Sequence, residues 1–222
     1  MTLKSMKHMF PGLMLLASLI TANAQTPKPS SNQSTEQAPH PYVQLVERAK
    51  KGDPTVSFKE LRRVFADWQC QKNTDAPDRQ AMVDAFNKKD YAKAVELVEG
   101  VLDYEYVQRG IHLAAEDAYR HLGNTAKADE HKAVAEKLLD ALLTSGDGKS
   151  AKTAFFVLSI REEYFIMSQL GYKPSGQALV SEGDRMFDVL SGTDSKTGNP
   201  VSLYFDITNF FGGCDSKPKP KP

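Results

Sequence analysis

Between Tyr42 and Gly52 the chain reads YVQLVERAKKG, and its apolar residues Tyr42, Leu45, Val46 and Ala49 recur at helical spacing. Gly52 follows where a glycine commonly ends a helix. In VSFKELRRVFADW the apolar positions Phe58, Leu61, Phe65 and Trp68 again share one face. Ser57 and Glu60 have the S-x-x-E spacing of a capping box, and Val56 and Leu61 can close a hydrophobic staple across it, so a helix starts there. After SGDGKS (Ser145 to Ser150) the pattern changes. TAFFVLSI is a run of β-formers and predicts a strand, whereas REEYFIMSQLG returns to helical spacing through Tyr164, Met167 and Leu170 and is stopped by Gly171. KPSG predicts a turn, QALV a short strand, SEGD a tight turn, and RMFDVL and VSLYFDIT two further strands around the loop SGTDSKTGNP. Helices followed by strands predict an α+β fold, with helical hairpins packed on a small C-terminal antiparallel sheet of three or four strands.

The middle of the chain carries an internal repeat. AFNKKDYAKAVELVEGV aligns with AYRHLGNTAKADEHKAVA so that Ala85 meets Tyr119, Asp90 meets Asn124, Ala94 meets Ala128 and Val101 meets Ala135, each 34 residues apart. In this register the helical region is similar to tetratricopeptide repeats, pairs of antiparallel helices with that period. The alanines are small where helices must approach closely, and Asp90 and Asn124 are good N-caps after the turns. The match is degenerate, with Thr125 opposite Tyr91 and Lys132 opposite Val98. Two such repeats need neighbours to bury a core, so the two N-terminal helices and the C-terminal third are expected to pack on them.

The chain ends alter the picture of where the protein goes. Lys4 and Lys7 precede the apolar run MFPGLMLLASLI, and TANAQ supplies the small residues Ala22 and Ala24 of a cleavage site. This is the pattern of a secretory signal peptide cut near Ala24. The run is too short to span about 30 Å of hydrocarbon as a helix. The expected organisation is a leader over 1–24, a polar proline-rich linker over 25–41, a helical repeat-like region over 42–145, an α+β region over 146–210 and a solvated tail over 211–222. An exported location, periplasmic or secreted, follows. The chain has 28 Lys+Arg against 28 Asp+Glu; without Lys4 and Lys7 this becomes 26 against 28. Such a balance gives no electrostatic footprint for nucleic acid or an anionic membrane. The two cysteines, Cys70 and Cys214, leave a disulfide and two free thiols both open.

FKELRRVF, SGDGKS, FFVLSIREEYF and SLYFDI, in this order behind a leader, resemble a family of exported bacterial proteins, domain of unknown function 4919. The resemblance covers about Tyr42 to Ile207. It implies export and carries no activity, cofactor or site residue across.

Candidate chemistry is sparse. Gly148, Lys149 and Ser150 match the end of a phosphate-binding loop, but the first glycine would fall at Leu143, and the context is helix then strand rather than strand then helix. Gly146 or Gly148 is instead expected at positive φ past a helix end, with Lys149 in solvent. In REEY, Glu162 and Glu163 diverge by about 100° on a helix, a spacing for dipole-favoured carboxylates at an N-terminus rather than an acid/base pair. With Tyr164 they form the best candidate ligand-binding site. His112 and Glu116 share a helix face, and His121 and His131 follow, but no H-E-x-x-H or cysteine partner supports a metal, so surface histidines are expected. Asp184, Asp188 and Asp206 lie in or beside the predicted strands, where paired carboxylates could serve a hydrolase.

The leading expectation is a non-catalytic protein- or peptide-binding module of the cell envelope, without cofactor or metal. The alternative is a cell-envelope hydrolase using Glu163, Asp188 or Asp206 near the sheet. Converging carboxylates in a pocket would favour the enzyme, and an open groove the binder.

Overall fold

In the computed structural model, which describes residues 39–71 and 77–211, His40 caps the first helix by accepting the Tyr42 N–H on Nδ1. The expected leader and Ala24 cleavage site, the expected linker up to residue 38, the tail from residue 212 and Cys214 lie outside the described residues, so the question of Cys70 pairing does too. Helix α1 spans Pro41–Lys50, with proline at a first-turn position where its missing N–H costs nothing. Gly52 follows at φ 73°. Helix α2 (Phe58–Gln71) starts where the capping box predicts, the Glu60 N–H donating to Ser57 Oγ at 3.3 Å. Val56, Phe58, Leu61, Phe65 and Trp68 enter one core with Tyr42, whose ring lies 4.6 Å from that of Trp68 and 5.2 Å from that of Phe65. The Tyr42 hydroxyl accepts the Tyr106 N–H at 2.8 Å, fastening α1 to the middle of the chain.

Four helices follow: α3 (Arg79–Asn87), α4 (Tyr91–Tyr104), α5 (Arg109–His121) and α6 (Thr125–Leu143). The turns after α3 and α5 are the same object. Lys89 and Gly123 both have positive φ, 56° and 75°. Asp90 and Asn124 cap the next helix with near-identical dihedrals (φ −83°, ψ 75° and φ −88°, ψ 75°), each side chain accepting an N–H three residues on. The Asp90 N–H donates to the Ala85 carbonyl and that of Asn124 to the Tyr119 carbonyl, both at 2.9 Å. All these pairs are 34 residues apart, so the repeat register of the sequence is a repeat of backbone geometry. Ala94 and Ala128 are fully buried, as close helix approach requires. Helix α6 folds back on α5: Arg120 reaches Asp129 beside the turn, while His112 meets His131 further along.

The segment SGDGKS joins helices to sheet. Gly148 has φ 71°, and its carbonyl accepts the Tyr204 N–H at 2.8 Å. A Cβ on Gly146 would meet the carbonyl oxygens of Thr153 and Ala154, so both glycines are required, one for its φ and one for close approach. Lys149 is exposed. After a 3-10 turn (Ala151–Thr153) come β1 (Phe155–Phe156), α7 (Ile160–Gln169), β2 (Tyr172–Glu182), β3 (Arg185–Asp194) and β4 (Pro200–Asp206).

The fold is α+β, with helices packed on a small four-stranded C-terminal sheet, in the order β1-β4-β3-β2. The sheet is mixed rather than wholly antiparallel: β1 runs parallel to β4, with Phe155 opposite Phe205. β1 reaches β4 through α7 and two strands, a connection long enough for parallel pairing. Only two residues of TAFFVLSI are strand, because α7 already begins at Ile160. The expected KPSG turn is absorbed into β2, which pairs along β3 with a bulge between Pro174 and Gly176. β2 is an edge strand, where proline and bulges are tolerated. Among the described residues no helix is long and apolar enough to cross a membrane.

Candidate functional site

The adjacent residues of REEY leave α7 in three directions. Glu162 accepts a bidentate pair from Arg62 of α2 (Nη1 2.9 Å, Nη2 2.8 Å) and the Leu158 N–H at 2.7 Å. Arg62 is almost completely buried, so this is a structural ion pair that docks the helical half on α7. Tyr164 is exposed and contributes to neither neighbour's setting. Glu163 is fully enclosed against the sheet beside Asp188, itself buried. The expected trio therefore does not form one site.

Burial, and next to it the Asp188 charge, push the Glu163 carboxyl up to about 8. Two carboxylates have no donor between them, and neither Glu163 oxygen finds a protein donor. One shared proton converts the pair into an acid–carboxylate hydrogen bond, and Gln177 Nε2 donates to Asp188 Oδ2. Asp206 is not part of this pair. Asp188 is opposite Phe205 and Phe187 opposite Asp206, so the pleat sends Asp188 and Asp206 to opposite faces of the sheet. Asp206 is held by Arg185 at 2.7 Å and by the Thr208 hydroxyl at 2.6 Å. Asp184 lies in the turn between β2 and β3.

The histidines depart most from expectation. Of His112, His121 and His131, His121 alone is a surface group, stacked on Tyr91 with ring centroids 3.9 Å apart. His112 is fully buried and His131 nearly so. Their Nδ1 atoms are 3.1 Å apart; His112 Nε2 lies 2.8 Å from the Tyr106 carbonyl, and His131 Nε2 lies 3.1 Å from Glu99 Oε1. The Tyr119 hydroxyl donates to the same Glu99 oxygen at 2.9 Å. α4, α5 and α6 thus meet in one polar chain in the interior of the bundle. Sequence reasoning paired His112 with Glu116 along one helix. Folding α5 onto α6 about Gly123 would have found the true partner, because His112 and His131 lie at comparable distances either side of that turn.

A carbonyl only accepts, so His112 Nε2 donates to Tyr106. Burial holds the His112 ring down to about 4, so it is neutral and its Nδ1 is an acceptor facing His131 Nδ1. The hydrogen bond with His131 holds Glu99 below the usual carboxylate range.

This chain borders a cleft of about 520 Å³ between the end of α1 and α6, lined among others by Lys50, Lys51, Glu99, Lys127, His131 and Lys137. A second cleft of about 580 Å³ continues along α6 past Val56, Phe58 and Ala141. The two share Ala133 and Lys137 and so make one open trough along α6. Neither includes Glu163 or Asp188. Among the described residues no group of three or more His, Cys, Asp or Glu is arranged to hold a metal ion.

No curated protein and no solved structure matches the chain. A family model does match over residues 31–213, spanning the helical bundle, the trough and the sheet, and the chain belongs to that family, Domain of unknown function (DUF4919).

Proposed function

We propose that this protein is an exported, non-catalytic module of the bacterial cell envelope that binds a protein or peptide partner. The observation that carries the reading is the trough along α6, open to solvent and long enough in sequence terms to take in residues from Lys127 to Ala141. An extended segment laid along a helix and gripped by its side chains is the binding mode of helical repeat scaffolds. The 34-residue recurrence of turn and cap geometry supports a tetratricopeptide-like origin for the hairpins, a fold-level analogy. Export rests on the leader pattern ending near Ala24. The hydrolase alternative needs carboxylates that a substrate can reach. Glu163 is sealed in the core, and Asp206 is engaged by Arg185 and Thr208, so binding is the better reading.

A photo-crosslinking residue placed at Lys137 on the trough, and separately at Lys173 on β2, tests this in the native envelope. A discrete polypeptide adduct from Lys137 and none from Lys173 is the expected result. Equal, diffuse labelling from both positions would sink the proposal. Fractionation in the same experiment checks export: full-length chain retaining residues 1–24 in the cytoplasm would overturn that part.

A further inference from the structure

The outer edge of the sheet is open and uncharged. β2 ends the strand order, so among the described residues no strand pairs with its outer side. From Pro174 to Ser181 it carries no charged residue, although charged side chains are a common protection of a free edge. The hairpin fixes which backbone groups are free. Glu182 pairs with Arg185 across the two-residue turn Gly183–Asp184, and the residues flanking such a turn exchange hydrogen bonds. Bonding then alternates along the strands. Val180, Ala178 and Gly176 direct their N–H and carbonyl groups at β3, whereas Ser181, Leu179 and Gln177 direct theirs outward. The other side of β3 keeps the same parity: Met186, opposite Ser181, gives its carbonyl to the Ile207 N–H.

Exposed apolar side chains gather beside this edge. Leu179 lies opposite Asp188, so both stand on the face of the sheet where Glu163 of α7 is buried, and α7 packs on β2. From Glu163, about 100° of helix rotation one way brings Glu162 to Arg62 and the helical half. The same rotation the other way brings Tyr164 to the side of the free edge, with Ile160 one turn before it. Ile160, Tyr164 and Leu179 are 54%, 43% and 54% exposed.

We propose that the free edge of β2 pairs antiparallel with β2 of a second copy of this chain, forming one continuous sheet across a two-fold axis at Leu179. Gln177 then meets Ser181 of the second copy and Leu179 meets its own counterpart, each pair exchanging the backbone hydrogen bonds that the outward groups offer. On the other face Ala178 meets Val180 of the second copy. Glu182 meets Gly176, so no like charges are opposed. The axis stands perpendicular to the sheet, so both α7 helices lie on one face, with Ile160 and Tyr164 of each flanking the paired Leu179 side chains. An unrelated extended segment would satisfy the backbone but bring no second helix to cover Ile160 and Tyr164. The bulge at Pro174 ends the pairing, so Lys173 and the trough lie outside it. Such a contact uses the same patch on both copies and closes at a dimer.

Sedimentation velocity on the purified protein tests this. A monomer–dimer equilibrium is expected between about 1 and 200 µM, as suits an interface below the standard size. A chain that stays monomeric throughout would overturn the proposal. Leu179→Pro removes an outward N–H and no bond to β3, and Leu179→Lys sets like charges opposite each other. Each should raise the dimer Kd at least about tenfold with native circular dichroism retained. The lysine variant, changed only at an exposed side chain, carries the test if the proline variant does not fold. Mixing the Leu179→Lys and Leu179→Glu variants should restore the dimer, because residue 179 meets only residue 179. An undiminished dimer in the lysine variant, or a mixture no more dimeric than either variant alone, would overturn the pairing. The adduct at Lys137 is read separately, so its loss leaves this proposal standing.

Discussion

His112 Nδ1 and His131 Nδ1 lie 3.1 Å apart, and this contact joins the two rings in one polar chain. It ties α5 to α6 in the interior and, through Glu99, brings α4 into the same chain. Nitrogen-15 NMR should find the His112 ring neutral near neutral pH, protonated on Nε2 alone. His112→Leu leaves the Tyr106 carbonyl and the His131 Nδ1 donor unanswered, and should cost about 2–4 kcal/mol in urea unfolding. A loss under 1 kcal/mol would mean that the chain is not structural.

Glu163 and His112 give opposite pH dependences. Glu163 is held above its ordinary value of 4.5, at about 8, so the folded protein binds more protons than the unfolded chain between these values. Its contribution is fully present below pH 4.5 and is lost as pH rises through about 8, by on the order of a few kcal/mol. His112 is held at about 4, below 6.5, so the folded protein binds fewer protons there, and stability falls as pH drops from 6.5 through 4. Glu163→Gln should flatten the alkaline side of the unfolding profile and stabilise the protein at pH 8, since its amide can donate to Asp188. A steep alkaline loss persisting in that variant would refute the assignment.

Arg62 and Glu162 differ in what each leaves behind. Arg62 is the buried partner, while the Glu162 side chain keeps some contact with water. Glu162→Ala strands a buried guanidinium and should cost about 3–5 kcal/mol, whereas Arg62→Met, which fills the same space and lets Glu162 hydrate, should cost clearly less. Denaturant midpoints at constant slope would measure the order, and the reverse order would contradict the burial asymmetry.

The two repeat turns predict a pair of opposite effects. Lys89 occupies the left-handed conformation that glycine fills at 123. Nothing stands within 4 Å of a Cβ built on Gly123, so backbone strain alone decides. Gly123→Ala should destabilise by about 1–2 kcal/mol, and Lys89→Gly should stabilise by up to about 1 kcal/mol. Thermal unfolding of both variants checks the signs.

Gly146 is a different case, because its conflict would be with backbone. Gly146→Ala would press a methyl group on the Thr153 and Ala154 carbonyls, which cannot swing away as a side chain can. A loss of more than about 2 kcal/mol is expected, with faster amide exchange at Phe156, whose N–H donates to Ser145 Oγ beside Gly146.

Much of this protein was legible along the chain because it is local. Helical spacing, the Ser57–Glu60 cap, the stop at Gly171, the turn at Gly183 and the 34-residue register of Asp90 and Asn124 all involve residues a few positions apart. Short-range sterics and hydrogen bonds decide such features before any long-range contact forms. The α+β division followed from the same patterns. Tertiary structure alone decided the rest. That β1 joins β4 in parallel, and that Pro174 sits inside an edge strand, depends on pairings whose partners are distant in sequence. Glu162, Glu163 and Tyr164 look equivalent on paper, but 100° per residue aims one at Arg62, one at Asp188 and one at water. The histidines differ from expectation for the same reason: a surface histidine and a buried, hydrogen-bonded one are the same letter. Only the closing of α5 on α6 beside α4 supplies the hydrogen-bond partners of both rings and the burial that keeps His112 neutral.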